Sequence, residues 1–282
     1  MRVVSLLPAA TEIVASIGGA GLLVGVSHEC DFPPQVSALP RVTSTRLDRR
    51  LASGEIDAQM ALAKLTGQST VDVDVATLAR LRTDVLIGQS LCDVCAVSGP
   101  ELERVVTSLQ PTPWVVTLHP HTLAEALVDI WRVGEVIGFP DEAEEVVAGL
   151  RYRLRRLRAL ASRPTRPRVV VLEWLDPPYV AGHWVPELVA LAGGEDVANA
   201  AGVPSLPRSW RDLAGLAPDL VVVALCGFDV ARARQELAQV VDEDARALLA
   251  RRVEFLDGNA YTSRPGPRLV DAAERLARLM RG

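Results

Sequence analysis

HTLAEALVDIWRVGEVIGF (121–139), followed after one proline by DEAEEVVAGLRYRLRRLRALASR (141–163), is the stretch that decides how this chain is built. Elsewhere apolar, strand-like runs alternate with helix-like segments. Here two helical patterns stand back to back with no strand between them. The second carries acids in its first turn and arginines along the rest, the arrangement a helix dipole favours. PTRPR (164–168) then returns the chain to strands. The reading is two lobes joined by a long helix over roughly 141–163. The expected organisation is an N-terminal lobe over 1–120, a helical region over 121–163, and a C-terminal lobe over 164–282.

Outward from that stretch, the strand-like runs are RVVSLL (2–7), LLVGVS (22–27), DVLIG (84–88) and WVVTL (114–118) before it. RVVVLEW (168–174), DLVVVAL (219–225) and RVEFLDG (252–258) follow it. Most are continuous rather than alternating, as expected for parallel strands buried on both faces. Helix starts are marked by Ser98 with Glu101 and Thr122 with Glu125, and by Asp141 with Glu144 in an acidic variant. Strand–helix alternation makes the fold class α/β, two lobes with parallel sheets.

The 282 residues are enough for a real core, and 49% apolar with 23% charged residues is globular composition. A net charge of −5 argues against nucleic acid as a partner. The opening MRVVSLLPAATEIV lacks a secretory leader's long apolar region, and no uninterrupted apolar run reaches membrane-spanning length. If Met1 is the native start, the expectation is a cytoplasmic protein; if a leader has been removed, an extracytoplasmic one. The Arg-rich 151–158 reads best as a solvated helix face.

The four Cys and four His are placed unevenly. His28 and Cys30 follow LLVGVS, Cys92 and Cys95 follow DVLIGQSL, His119 and His121 follow WVVTL, and Cys226 follows DLVVVAL. Residues just past strand carboxyl ends line the ligand crevice of a parallel α/β sheet. CDVC (92–95) can chelate zinc or another transition metal, form a redox pair, or simply shape a loop with reduced thiols. His28, Cys30, Cys92 and Cys95 are the candidate metal set, and His28 has the alternative of an ordinary hydrogen-bonded loop histidine. No G-x-S-x-G elbow is present, which disfavours a serine hydrolase.

EWLDPPYVAGHWVPEL (173–188) holds Trp174, Tyr179 and Trp184, beside Glu173 and His183, in a chain with only twelve aromatic residues. Phe32, Phe228 and Tyr261 occupy other strand-end loops. Aromatic walls with a few placed polar groups suit a large, flat, partly apolar ligand. The competing reading is that some of these rings plug core ends. Arg264, stiffened by Pro265–Gly266–Pro267, is placed to donate to amide or carboxylate oxygens.

SLLPAATEIV (5–14), LVGVSHECDFPP (23–34), RTDVLIGQ (82–89) and LEWLDPPYVAGHWVPELVALAGGED (172–196) resemble the cobalamin-binding proteins of ABC importers. These belong to the helical-backbone class of substrate-binding proteins, and the resemblance runs the whole length in matching order. It implies no catalysis, no required cofactor, and a cobalamin or related corrinoid ligand held in a cleft between two lobes. Where the family's first lobe is tryptophan-rich, this chain has TSTRLD (43–48) and GQSLCDVCAVSG (88–99). The ligand-binding candidates are therefore Phe32, Arg46, Gln89, Cys92, Glu173, Trp174, Tyr179, His183, Trp184, Phe228, Tyr261 and Arg264. The resemblance also implies a transporter permease as partner, with Glu101 near the matching docking position. The alternatives are an iron-chelate or haem binder on the same fold, or a metal or redox protein using Cys30, Cys92 and Cys95.

Overall fold

A computed structural model describes residues 1–89, 99–161 and 165–281. In chain order the elements are β1 (Val3–Ser5), α1 (Pro8–Ser16), β2 (Leu23–Val26), β3 (Thr43–Thr45), α2 (Ser53–Thr66), β4 (Val71–Val73), α3 (Val75–Leu81), β5 (Val85–Gln89), α4 (Gly99–Ser108), β6 (Trp114–Leu118), α5 (Leu123–Ile137) and α6 (Pro140–Leu160). They continue with β7 (Arg168–Leu175), β8 (Pro178–Val180), α7 (Val185–Leu191), β9 (Glu195–Asp196), β10 (Leu206–Pro207), α8 (Trp210–Gly215), β11 (Leu220–Val223), α9 (Val230–Ala238), α10 (Glu243–Leu249), β12 (Arg252–Phe255) and α11 (Leu269–Leu279). The chain divides into two compact units. The first is Met1–Leu51, Ala58–Pro120 and Glu125–Ala148; the second is Ala52–Asp57, His121–Ala124 and Gly149–Gly282.

In the first unit a four-stranded parallel sheet has the order β2-β1-β5-β6. Val3 and Val4 of β1 are wholly buried, which is why the run reads as continuously apolar. The order reverses between β1 and β5, the switch point where a parallel sheet opens a crevice at its carboxyl edge. Val4, Leu6, Val42, Leu78, Leu86 and Leu102 belong to one buried cluster of this unit. Burying each such side chain stabilises by about 1.5–3 kcal/mol. α1 begins with Pro8, whose missing N–H is harmless in a first turn, and the chain turns at Gly18 with φ 83°.

In the second unit β7, β11 and β12 are parallel; on the far side of β7, β8 runs antiparallel to it and β10 antiparallel to β8. β8 pairs with residues 172–175 of β7, while β9 pairs in parallel with Arg168 and Val169. One side of β7 is therefore shared by two short strands. α11, whose Leu269, Ala273 and Leu276 are fully buried, packs on α7.

All seven strands expected from apolar runs are present. β3, β4, β8, β9 and β10 were not legible, because two or three residues carry no periodicity. The cap at Asp141 is corrected. α6 starts at Pro140, and the Phe139 carbonyl accepts from Ala143 N at 3.1 Å, so Asp141 lies inside the first turn. Ser98 and the thiols of CDVC lie outside the described residues. Among the described residues no helix is long and apolar enough to cross a membrane.

Candidate functional site

At the carboxyl end of β2 the chain is tied down by hydrogen bonds. After β2 the chain turns at residues 27–30, with Cys30 N donating to Ser27 O at 3.2 Å. Arg41 clamps that turn, its Nη1 donating to Ser27 O at 3.0 Å and to Cys30 O at 2.6 Å. His28 sits on Thr43 of β3: its backbone N donates to Oγ1 at 3.0 Å and its Nδ1 is 2.8 Å from the same oxygen. Burial lowers the His28 pKa, against the raising influence of Glu29. Cys30 is 1% exposed and its Sγ lies 3.1 Å from Thr11 Oγ1 on α1. Burial pushes that thiol up, away from the thiolate a metal would need.

Thr43 engages His28 and Thr11 engages Cys30, while Cys92 and Cys95 lie outside the described residues. Among the described residues no three His, Cys, Asp or Glu side chains are grouped to hold an ion. Arg46 is paired with Asp72, Nε donating to Oδ2 at 2.8 Å and Nη2 to Oδ1. Gln89 ends β5 opposite Leu118, and Phe32 is exposed. Glu101 falls in the first turn of α4.

The carboxyl edge of the second unit is aromatic. The Trp174 ring lies 5.3 Å from Phe228 at an interplanar angle of 44°, and the Arg232 guanidinium sits 5.2 Å over the Phe228 ring. Trp174 is half-buried and Phe228 is buried. Trp174 pairs with Tyr179 across β7 and β8. Burial raises the Tyr179 pKa first, with the Asp57 and Glu173 carboxylates adding to it. Tyr261 is stacked by two cations, Arg268 at 4.8 Å and Arg275 at 4.3 Å. Arg264 is buried and donates to Asn259 Oδ1 at 2.9 Å. Glu173 is half-buried, and its carbonyl holds the Cys226 backbone N at 2.9 Å.

The two tryptophans of the 173–188 stretch separate. Trp184 is 5% exposed, with its indole N–H donating to Thr262 O at 2.9 Å. That is the core reading allowed for some of these rings. His183, next to it, has φ 53° and lies with its ring 5.5 Å from those of Trp184 and His121.

Residues 52–57 join this edge, and nothing in the sequence signalled it. The Trp174 indole donates to Ser53 O at 3.2 Å. Ser53 N, the first residue of α2, donates to Glu236 Oε2 at 2.9 Å, and Arg232 Nη2 is 2.7 Å from Glu236 Oε1. A carboxylate at a helix start is favoured by the dipole, so Glu236 holds this turn in place. The Asp176 side chain lies close over Gly54, whose Cβ, if it had one, would be 2.3 Å from Asp176 Oδ2. Asp57 has its pKa raised by burial and by Asp176. A cavity of about 410 Å³ is lined here by Ser53, Asp176, Trp210, Glu236, Val240 and Asp242 among others.

Two α/β units, one on a parallel sheet and one on a mixed sheet with an aromatic carboxyl edge, match the periplasmic binding protein family, whose pattern covers residues 3–247. The chain belongs to that family. Its members are binding proteins, and this chain is one rather than an enzyme. It is 24% identical to the vitamin B12-binding protein of Vibrio cholerae, over 98% of this chain and 87% of that one. The crystal structure of the periplasmic vitamin B12 binding protein BtuF of Vibrio cholerae superposes with a TM-score of 0.71 at 22% identity, covering 99% of this chain and 96% of that one. The periplasmic heme-binding protein RhuT of Roseiflexus sp. RS-1 superposes with a TM-score of 0.72 at 22% identity, covering 99% and 97%. At these identities the likeness shows the fold, α/β of the helical-backbone class.

Proposed function

We propose that this protein binds a corrinoid, cobalamin or a close relative, as the substrate-binding component of an ABC importer. The observation that carries the reading is the aromatic carboxyl edge of the second unit. Trp174, Tyr179 and Tyr261 there are half-buried rather than enclosed in the core. A corrin is broad, largely apolar and rimmed by amides. Ring faces pack on its surface, while the half-buried Glu173 meets the amides. The full-length likeness to a vitamin B12-binding protein supports the same class.

Haem is the second reading, favoured by a fold likeness to RhuT as close as that to BtuF. Titration of the protein with cyanocobalamin, cobinamide and haemin, followed by calorimetry and visible absorption, tests both. Saturable binding of the corrinoids at one equivalent is expected. Binding of haemin alone would replace the corrinoid reading with the haem one. For the transporter partner, Glu101 is the proposed contact. Glu101→Gln should weaken capture of the permease, and unchanged capture would remove Glu101 from that role.

A further inference from the structure

We propose that Glu236 is a positioning residue for the aromatic edge of the second unit: acting through Ser53, it fixes the plane of the Trp174 ring and so sets affinity for a flat ligand without being one of its contacts. What the ring meets rests on the corrinoid reading above; how the ring is held rests on contacts within this unit alone. Glu236 lies on α9, is 3% exposed, and its two oxygens serve different partners. Oε2 accepts from Ser53 N at 2.9 Å, 183 positions earlier in the chain, and Oε1 is 2.7 Å from Arg232 Nη2 one helical turn back. The carbonyl of the same Ser53 accepts from the Trp174 indole N–H at 3.2 Å. The Arg232 guanidinium lies 5.2 Å over the Phe228 ring, and that ring is 5.3 Å from Trp174. These contacts close into a circuit that runs from Glu236 through Ser53, Trp174, Phe228 and Arg232 back to Glu236. Trp174 is therefore reached from Glu236 by two routes, at its N–H through Ser53 and at its ring through Phe228.

Local structure does not call for this arrangement. α2 has a cap of its own: Glu55 Oε2 accepts from Ala52 N at 3.1 Å, the reaching-back half of a capping box. Arg232 and Glu236 would pair along α9 whatever stood at residue 53, since residues four apart share a helix face. The Ser53 N–H belongs to the first turn of α2, where no intrahelical acceptor exists, so the Glu236 carboxylate supplies an acceptor the helix itself cannot. A hydrogen bond to a charged acceptor is stronger than a neutral one, and a buried carboxylate that loses such a donor bears its desolvation cost. On another side the Asp176 side chain lies close over Gly54, where a Cβ would be 2.3 Å from Oδ2. The Ser53 peptide is held by its surroundings, and its carbonyl is a fixed acceptor for the indole.

A tryptophan ring turns about two side-chain torsions, and the second is broad, so packing against one phenyl ring leaves its tilt loosely set. The bond to Ser53 removes that freedom from a ring that is only half-buried. A ring already in its binding orientation spares the complex the cost of ordering it, which corresponds to roughly two- to tenfold in affinity for one large side chain.

The test has two arms. The first needs no ligand: proton–nitrogen correlation spectra of the isotope-labelled full chain, in which the Trp174 indole resonance is the one lost in Trp174→Phe. Glu236→Ala should shift that resonance and speed its exchange with solvent several-fold, while the Trp184 indole, bonded to Thr262 O, stays in place. The second arm is calorimetry with cyanocobalamin. Glu236→Ala should weaken binding roughly two- to tenfold in the parent protein and have no effect in the Trp174→Phe background, where the ring has no N–H for Ser53 O. A merely structural role would move both indoles and weaken binding equally in both backgrounds. An unmoved Trp174 resonance, or equal losses in the two backgrounds, overturns the proposal. Melting curves establish that each variant is folded. If Glu236→Ala is not, Glu236→Gln, whose neutral amide oxygen is the weaker acceptor, should give the same changes at smaller size. Failure of the unmodified protein to bind cyanocobalamin would sink the corrinoid reading separately, and the indole arm, with haemin as the ligand of the second arm, then decides the role of Glu236.

Discussion

The two sheet edges use their polar and aromatic groups in opposite ways. In the first unit His28 and Cys30 are drawn onto Thr43 and Thr11, and Arg41 clamps the turn between them. In the second unit Trp174, Tyr179 and Tyr261 keep ring surface half-buried, while Glu236 and Thr262 anchor the framework around them. The difference teaches that rare residues past strand ends are not one class. A small nucleophilic side chain there is easily consumed by local hydrogen bonds, whereas a broad ring cannot be covered by its own turn.

The largest expected effect separates the two tryptophans. Trp184→Ala empties a buried site and removes an anchor to Thr262, so it should cost about 3–5 kcal/mol of stability in a denaturant melt. Trp174→Ala should cost less stability and instead weaken corrinoid binding by about 1–3 kcal/mol in calorimetry. The reverse pattern would exchange the roles of core and edge.

A further contrast is pH-dependent. The folded Asp196 carboxyl is raised to about 6, chiefly by burial, against the lowering hydrogen bonds from Ala198 and Asn199 N–H. The native state therefore holds that proton more tightly than the unfolded chain, and this contribution is present at low pH and lost as pH rises from about 4 to 6. Asp196→Asn should remove a decline of roughly 3 kcal/mol across that window, read as the difference between the two proteins' stability curves. A difference curve flat in pH would show that the carboxyl is not perturbed.

For the first edge, the raised Cys30 thiol predicts protection. Mass mapping after brief alkylation of native protein should find Cys226, which is half-buried, modified well before Cys30. Equal rates would mean that the turn at residues 27–30 opens readily. The smallest effect belongs to Arg46. Its pair with Asp72 is exposed, so Arg46→Gln should change stability by less than about 1 kcal/mol. A loss of corrinoid affinity larger than that of Trp174→Ala would move the centre of binding to the first unit.

The chain alone determined the α/β class, the seven main strands and the back-to-back helices, because continuous apolar runs and helical periodicity are local signals. The aromatic concentration at 173–184 was equally legible, since it needs only counting in an aromatic-poor chain. Which ring is core and which is edge was not. Trp174 and Trp184 stand in the same stretch, and the partners that separate them, Ser53 and Thr262, lie 121 and 78 residues away. The same holds for His121 and His183, brought together across 62 positions of sequence. Pattern along a chain reports what each residue prefers. Only the packed structure decides what it meets, because those contacts are made by segments far apart in sequence and are set by the closure of sheets and helices around a shared core.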